Sequence, residues 1–318
     1  MTEPNNEPNW ERSVLEKLAT EALVEQRRRR RWSIFFRLLT FLYVGVILWM
    51  LAGLGDGPQN KLADGRHTAL VQLHGVIGPK GDASAENVIP ALQSAFEDRG
   101  TQGVVLLINS PGGSPVQAGL INDEIRRLRA KHPATPLYAV VEDMCASGGY
   151  YVAAAADRIF VDKASIVGSI GVLMDGFGFT GTMEKLGVER RLLTAGENKG
   201  MLDPFSPQNE KHKAYAKAMI DQIHQQFIAV VKQGRGKRLK ETPETFSGLF
   251  WNGEEAIKLG LADKTGNLDF VAREVVKAED IIDYTPHENV AERLAKRFGA
   301  GVGTGAVRAL REFAPQLR

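Results

Sequence analysis

The residues best equipped for chemistry are a serine and two glycines at the end of an apolar run. The stretch reads Glu142-Asp143-Met144-Cys145-Ala146-Ser147-Gly148-Gly149-Tyr150-Tyr151, with Val152-Ala153-Ala154-Ala155-Ala156 behind it. Pro136–Val141, just before it, has the composition of a buried strand, and the alanines after it favour helix. A strand that turns sharply into a helix puts the serine hydroxyl at a helix N-terminus. Free N–H groups and the positive end of the helix dipole face outward there. Such a place suits a nucleophile whose attack creates an oxyanion. The context is that of a nucleophile elbow, yet Cys145 stands where the first glycine of G-x-S-x-G belongs, so the motif itself is absent. The alternative is an ordinary N-cap serine in a glycine turn.

A second glycine turn, Asn109-Ser110-Pro111-Gly112-Gly113-Ser114, also follows an apolar run and precedes a helical segment. Gly112 and Gly113 allow positive φ and let the backbone come close to a ligand. If this loop faces Ser147, the N–H groups of Gly113 and Gly148 form an oxyanion hole; otherwise the glycines serve only the turn. An activated serine also needs a base. The six histidines, His67, His74, His132, His212, His224 and His287, fall in linkers, on a strand or on polar helix faces. A triad assembled from distant residues stays open. A lysine does the same work once burial lowers its pKa. Lys199 is the candidate, in the turn-rich Thr194–Phe205 segment with apolar neighbours, although most lysines are simply solvated. Cys145 reads as a small buried side chain.

The elements that must position these residues alternate. Strands are expected at Thr68–Leu73, Gly103–Ile108, Pro136–Val141, Arg158–Val161 and Val188–Leu193. Helices are expected at Asn87–Arg99, at Val116–Ala130 with Leu120, Ile121, Ile125 and Leu128 inward, and at Gln208–Gln233. The last has Tyr215, Met219, Ile223, Phe227 and Val230 on one face. The alternation predicts an α/β fold. No internal repeat is visible. A single cysteine among 318 residues rules out intrachain disulfides and CxxC metal sites.

Residues 1–54 carry eight Lys/Arg against six Glu, which accounts for the whole net charge of +2. The remainder is balanced and offers no footprint for nucleic acid. Arg27–Arg31 precede a run, Leu38–Leu54, with 17 uncharged residues. Counted from Ile34, a helix here is about 30 Å long, the thickness of a bilayer core. Trp32 and Trp49 fall near its two interfaces, and Arg37 can snorkel. The expected organisation is a cytoplasmic segment 1–33, a transmembrane helix 34–54, a linker 55–67, a catalytic domain 68–285 outside the cytoplasm, and a C-terminal extension 286–318. The extension includes a possible amphipathic helix at Val307–Phe313. A cleaved signal peptide is disfavoured by the long polar leader and by the absence of an A-x-A site.

Taken together, these residues resemble the signal peptide peptidase A family of membrane-anchored serine–lysine peptidases. The family shares the crotonase-like ββα spiral of the Clp protease subunit. The resemblance rests on Ser110-Pro111-Gly112-Gly113, Met144–Tyr151, Ala156-Asp157-Arg158-Ile159, Val167–Val172, Lys199 with Asp203-Pro204-Phe205, and Asn252–Ala256 with Leu259–Asp263. It implies Ser147 as nucleophile, Lys199 as a neutral base in a desolvated pocket, and Ser169 as the lysine's hydrogen-bond partner. It also implies Gly112, Gly113 and Gly148 around the oxyanion. No metal or cofactor is implied. Substrates would be peptides such as signal-peptide remnants, at the outer face of a bacterial cytoplasmic membrane whose lipid holds the anchor. With one serine turn and one lysine loop, the resemblance implies a homo-oligomeric ring with sites shared between subunits. Crotonase-like folds also process acyl-CoA thioesters, and a silent scaffold of the same fold is the other alternative.

Overall fold

Three apolar runs form the centre of the fold because each is hydrophobic at consecutive rather than alternate positions, as strands covered on both faces are. They are β1 (His67–His74), β2 (Thr101–Ser110) and β3 (Leu137–Ala146). Within β2, Val104, Leu106 and Ile108 face one core, and Val105 and Leu107 face another, the period of two that a strand imposes. The computed structural model describes residues 10–53 and 65–286, with side chains for 25–46 and 65–286.

The first helix, α1 (Trp10–Gly53), is continuous through the region where a frayed helix and a separate span were expected. Among the described residues no helix is long and apolar enough to cross a membrane. Helix α1 belongs to one unit of the chain and Leu62–Pro286 to another. Most of the expected linker and the C-terminal extension with its Val307–Phe313 helix lie outside the described residues.

In the larger unit the remaining elements are α2 (Ala85–Glu97), α3 (Pro115–Lys131), α4 (Gly148–Ala153), β4 (Arg158–Val161), β5 (Ile166–Gly168), α5 (Thr180–Lys185), α6 (Glu210–Arg235), β6 (Phe250–Asn252), α7 (Gly253–Lys258), β7 (Lys264–Thr265) and β8 (Ile281–Asp283). The sheet order is β6-β5-β3-β2-β1-β8. All pairings are parallel except β5 with β6. Strand β3 forks. Its first half, Tyr138–Val140, pairs with β4 and its last residues, Met144–Ala146, pair with β5. The expected α/β architecture is present.

Serines stop the chain from fraying where the helices on one face begin. Ser84 caps α2 through Asn87 N, and Ser114 caps α3 through Gln117 N with Pro115 as the first helical residue. Helix α3 buries Ala118, Ile121, Ile125 and Leu128, but Leu120 is 48% exposed. The i, i+4, i+7 stripe through Ile121 leaves its neighbour, turned by 100°, on the flank. At the far end of α6, Arg235 is 1% exposed; its Nε donates to Gly260 O and its Nη1 to Asp263. Helix α6 thereby ends on β4 and β7, because Asp263 also accepts from Ile159 N at 2.7 Å.

Three further expectations are corrected. Val188–Leu193 form no strand; Leu193 is 96% exposed and nothing pairs with this segment among the described residues. A strand needs a partner to satisfy its backbone, and the segment has none among the described residues. Tyr215 is 65% exposed on α6, whose first half meets little of the core; burial is concentrated at Phe227, Val231 and Arg235. His67, taken for a linker residue, is fully buried at the start of β1. Its Nε2 lies 3.0 Å from the Tyr284 hydroxyl and 3.2 Å from that of Thr101.

Candidate active site

Register brings the two glycine turns together. Strands β2 and β3 run parallel with Ser110 opposite Cys145, so the loop after β2 emerges beside the turn after β3. Ser110 closes its own loop: its Oγ donates to Gly75 O at 2.6 Å and accepts from Gly112 N at 3.1 Å. A parallel bridge to Ile77 holds the other side, with Ile77 N on Gly112 O and Ser114 N on Ile77 O. Gly112 has φ +97° and Gly113 φ +145°. A Cβ on Gly113 would collide with Ile77 O, and one on Gly112 would lie 2.5 Å from Gly148 N. Only glycine fits either place.

Ser147 is not an ordinary N-cap. Its side chain makes no capping hydrogen bond, and its backbone sits at φ 51°, ψ −122°. Such a conformation costs about 1–3 kcal/mol in a non-glycine residue and persists only where the surroundings impose it. Here Ser147 N donates to Gly168 O at 2.8 Å and Ser147 O accepts from Tyr151 N at 2.9 Å. The strained turn leaves the hydroxyl uncommitted and points it into a cleft of about 540 Å³.

Ser147, Gly113, Gly148 and Ser169 all line that cleft. As first residue of α4, Gly148 has no intrahelical acceptor for its N–H. The N–H of Gly113 points away from its bridge to Ile77, and a Cβ on Gly148 would stand 3.2 Å from Gly113 N. Two free donors thus flank the serine, the arrangement an oxyanion requires. Ser169 is itself at φ 51°, held by its N–H on Leu249 O at 2.7 Å. The walls are apolar: Tyr151, Val172, Leu173, Ile223 and Phe227, with the Tyr151 and Phe227 rings 5.1 Å apart. Burial pushes the Tyr151 phenol up, keeping it neutral. Ile223 and Phe227 were expected only on the apolar face of a helix, and Gln226, Ser247 and Gly248 escaped the sequence reading. All five come from far along the chain, and nothing local ties them to the serine turn.

Lys199 is not among the residues that line the cleft. It is exposed, in the loop between α5 and α6, with its N–H on Gly196 O at 3.1 Å. Its exposed position lacks, among the described residues, the desolvated surroundings that were expected. No Lys, His, Asp or Glu lines the cleft among the described residues. The described residues therefore present an unpaired serine hydroxyl beside two backbone donors, with no ionisable base lining the cleft. Cys145 is fully buried, and burial pushes its thiol far up, so it is inert. No group of His, Cys, Asp or Glu able to hold a metal ion occurs among the described residues.

The model of Peptidase family S49 matches residues 129–281. A Methanocaldococcus jannaschii protein named as a candidate protease is 33% identical over 235 residues, 72% of this chain and 75% of that one. A candidate signal peptide peptidase SppA of Enterococcus faecium is 28% identical over 240 residues, 73% of this chain and 68% of the other. A Brucella melitensis protein named as the Na(+)/H(+) antiporter NhaA is 45% identical over 216 residues, 66% of this chain. That match takes in 29% of the antiporter's own length, so the chain spans less than a third of this relative.

Proposed function

Since the chain belongs to peptidase family S49, the signal peptide peptidase A family of serine peptidases, we propose that it hydrolyses peptides with Ser147 as nucleophile and Lys199 of a neighbouring copy as base. The observation that carries this reading is the strained Ser147 turn beside the free N–H groups of Gly113 and Gly148. The forked β3 supports the Clp- or crotonase-like ββα spiral.

Lys199 Nζ takes the Ser147 hydroxyl proton as Oγ attacks the peptide carbonyl carbon. The tetrahedral oxygen accepts from Gly113 and Gly148 N–H, each donor being worth about 3 kcal/mol in comparable sites. The protonated lysine hands its proton to the departing amine, the C–N bond breaks, and water then hydrolyses the Ser147 ester. Ser169 accepts a hydrogen bond from the lysine and orients it.

Several observations support a base supplied in trans. The cleft of one chain holds no ionisable base. His212 near the start of α6 holds Asn198 at 3.1 Å, next to Lys199, and His224 holds Ile170 O at 3.1 Å, next to Ser169. Twelve residues separate these histidines, about 18 Å along the helix axis, more than a lysine side chain spans. Leu173, Phe177, Leu186 and Leu193 are exposed on the segment carrying Lys199, and so many exposed large apolar side chains on one segment favour its being covered by another copy. A ring of such contacts supplies every site.

Anchoring is proposed through residues 34–54, from the uncharged run and the arginine cluster before it. It places 1–33 in the cytoplasm of a bacterium and the peptidase at the outer face of its membrane, next to signal-peptide remnants. A serine-reactive phosphonate should label Ser147 in the purified protein and abolish peptide hydrolysis. A protein that cleaves peptides while Ser147 stays unlabelled and unnecessary would overturn the reading.

A further inference from the structure

Helix α6 passes along the cleft and contributes Ile223, Gln226 and Phe227 to its wall. His224, between them in sequence, reaches a different target. Its Nε2 lies 3.1 Å from the carbonyl oxygen of Ile170. A carbonyl only accepts, so this ring nitrogen donates. Ile170 is 0% exposed, and no other donor reaches its carbonyl among the described residues.

That carbonyl lies between two residues of the cleft, Ser169 and Gly171. On one side the segment is gripped by backbone alone. Ser169 N donates to Leu249 O at 2.7 Å, and Gly171 N turns back to Ser169 O at 2.9 Å. Gly171 is pressed against Gly248: a Cβ on it would stand 3.1 Å from Gly248 Cα. On the α6 side the grip is one imidazole. Ser169 needs that grip, because a serine at φ 51° is strained and relaxes when its surroundings allow. Without a donor, the Ile170 carbonyl would be buried and unpaired. Rotation of the Ile170–Gly171 peptide relieves both problems at once, and it displaces Ser169 and Gly171 together.

We propose that His224 is a positioning residue of the peptidase, which acts by fixing the Ile170 peptide so that Ser169 and Gly171 keep the cleft in its working shape. The inference rests on the reading of Ser147 and Ser169 as site residues. It assigns His224 no proton transfer, because its Nε2 is committed to the carbonyl. The donor is what matters, so another side chain that places an N–H at the same distance should serve.

The test uses the full-length wild type with His224→Ala and His224→Gln, measuring kcat and KM on a chromogenic peptide, phosphonate labelling of Ser147, and Tm. For His224→Ala, kcat should fall about tenfold or more, as misplacement of a site by a fraction of an ångström does. KM should change by less than about twofold, and Tm should stay near that of the wild type. In His224→Gln the amide N–H should restore most of the lost kcat. Wild-type kcat in His224→Ala would overturn the inference, as would equal losses in both variants or a loss that tracks Tm. A wild type that neither cleaves peptide nor takes the label fails at the peptidase reading itself, and the inference falls with it.

Discussion

Gly112 stands directly against Ser147: a Cβ on the glycine would lie 2.7 Å from the serine Cβ and 2.5 Å from Gly148 N. The loop after β2 is therefore part of the nucleophile's support. Gly112→Ala has to move one turn or the other, and it also strains a residue at φ +97°. We expect kcat/KM to fall by about 100-fold with far-UV circular dichroism preserved. Wild-type activity in Gly112→Ala would show that the contact does not govern the serine's position.

Strain at Ser147 makes a second expectation. Ser147→Ala keeps the φ of 51° in a residue with a Cβ, whereas Ser147→Gly removes the conflict. Both variants should be inactive. The glycine variant should be more stable than the alanine variant by about 1 kcal/mol, the lower end of the cost of such a backbone. Urea unfolding of the two proteins measures the difference, and equal midpoints would mean that the turn is unstrained.

Lys199 tests the shared site. Lys199→Arg should be inactive, since a guanidinium does not give up its proton near neutral pH. Mixed oligomers of Ser147→Ala and Lys199→Ala chains should regain part of the activity, because some interfaces pair an intact serine with an intact lysine. No activity in verified mixed oligomers would place both residues on one chain.

The Asp263 carboxylate lets stability be read against pH. Burial pushes this group up, but the hydrogen bond and charge of Arg235, the Ile159 N–H and Arg238 outweigh it and hold the carboxyl below its ordinary value. A carboxyl lowered on folding stabilises the protein at neutral pH. That contribution is complete above the ordinary carboxylate range and is lost as pH falls through the lowered value. Asp263→Asn leaves the guanidinium of Arg235, 1% exposed, without its counter-charge. It should cost about 3 kcal/mol at pH 7, with a smaller difference from wild type in acid. A Tm difference that does not shrink toward low pH would assign the loss to packing alone.

The sequence by itself determined what depends on neighbours along the chain. Apolar runs marked β1, β2, β3 and β4; glycine pairs marked the two turns; helical spacing marked α2 and α3. These signals are local, because period, propensity and turn chemistry act within a few residues. The tertiary structure alone decided what depends on pairing. The register of Ser110 opposite Cys145 brought Gly113 to Gly148, and no short window of sequence encodes that relation. The positive φ of Ser147 and Ser169 was likewise invisible, since it is imposed by bonds to Gly168 and Leu249 from other segments. Val188–Leu193 has the β-forming composition of a strand, yet among the described residues it has no partner strand, and hydrogen bonding between strands, not propensity, decides whether a strand forms.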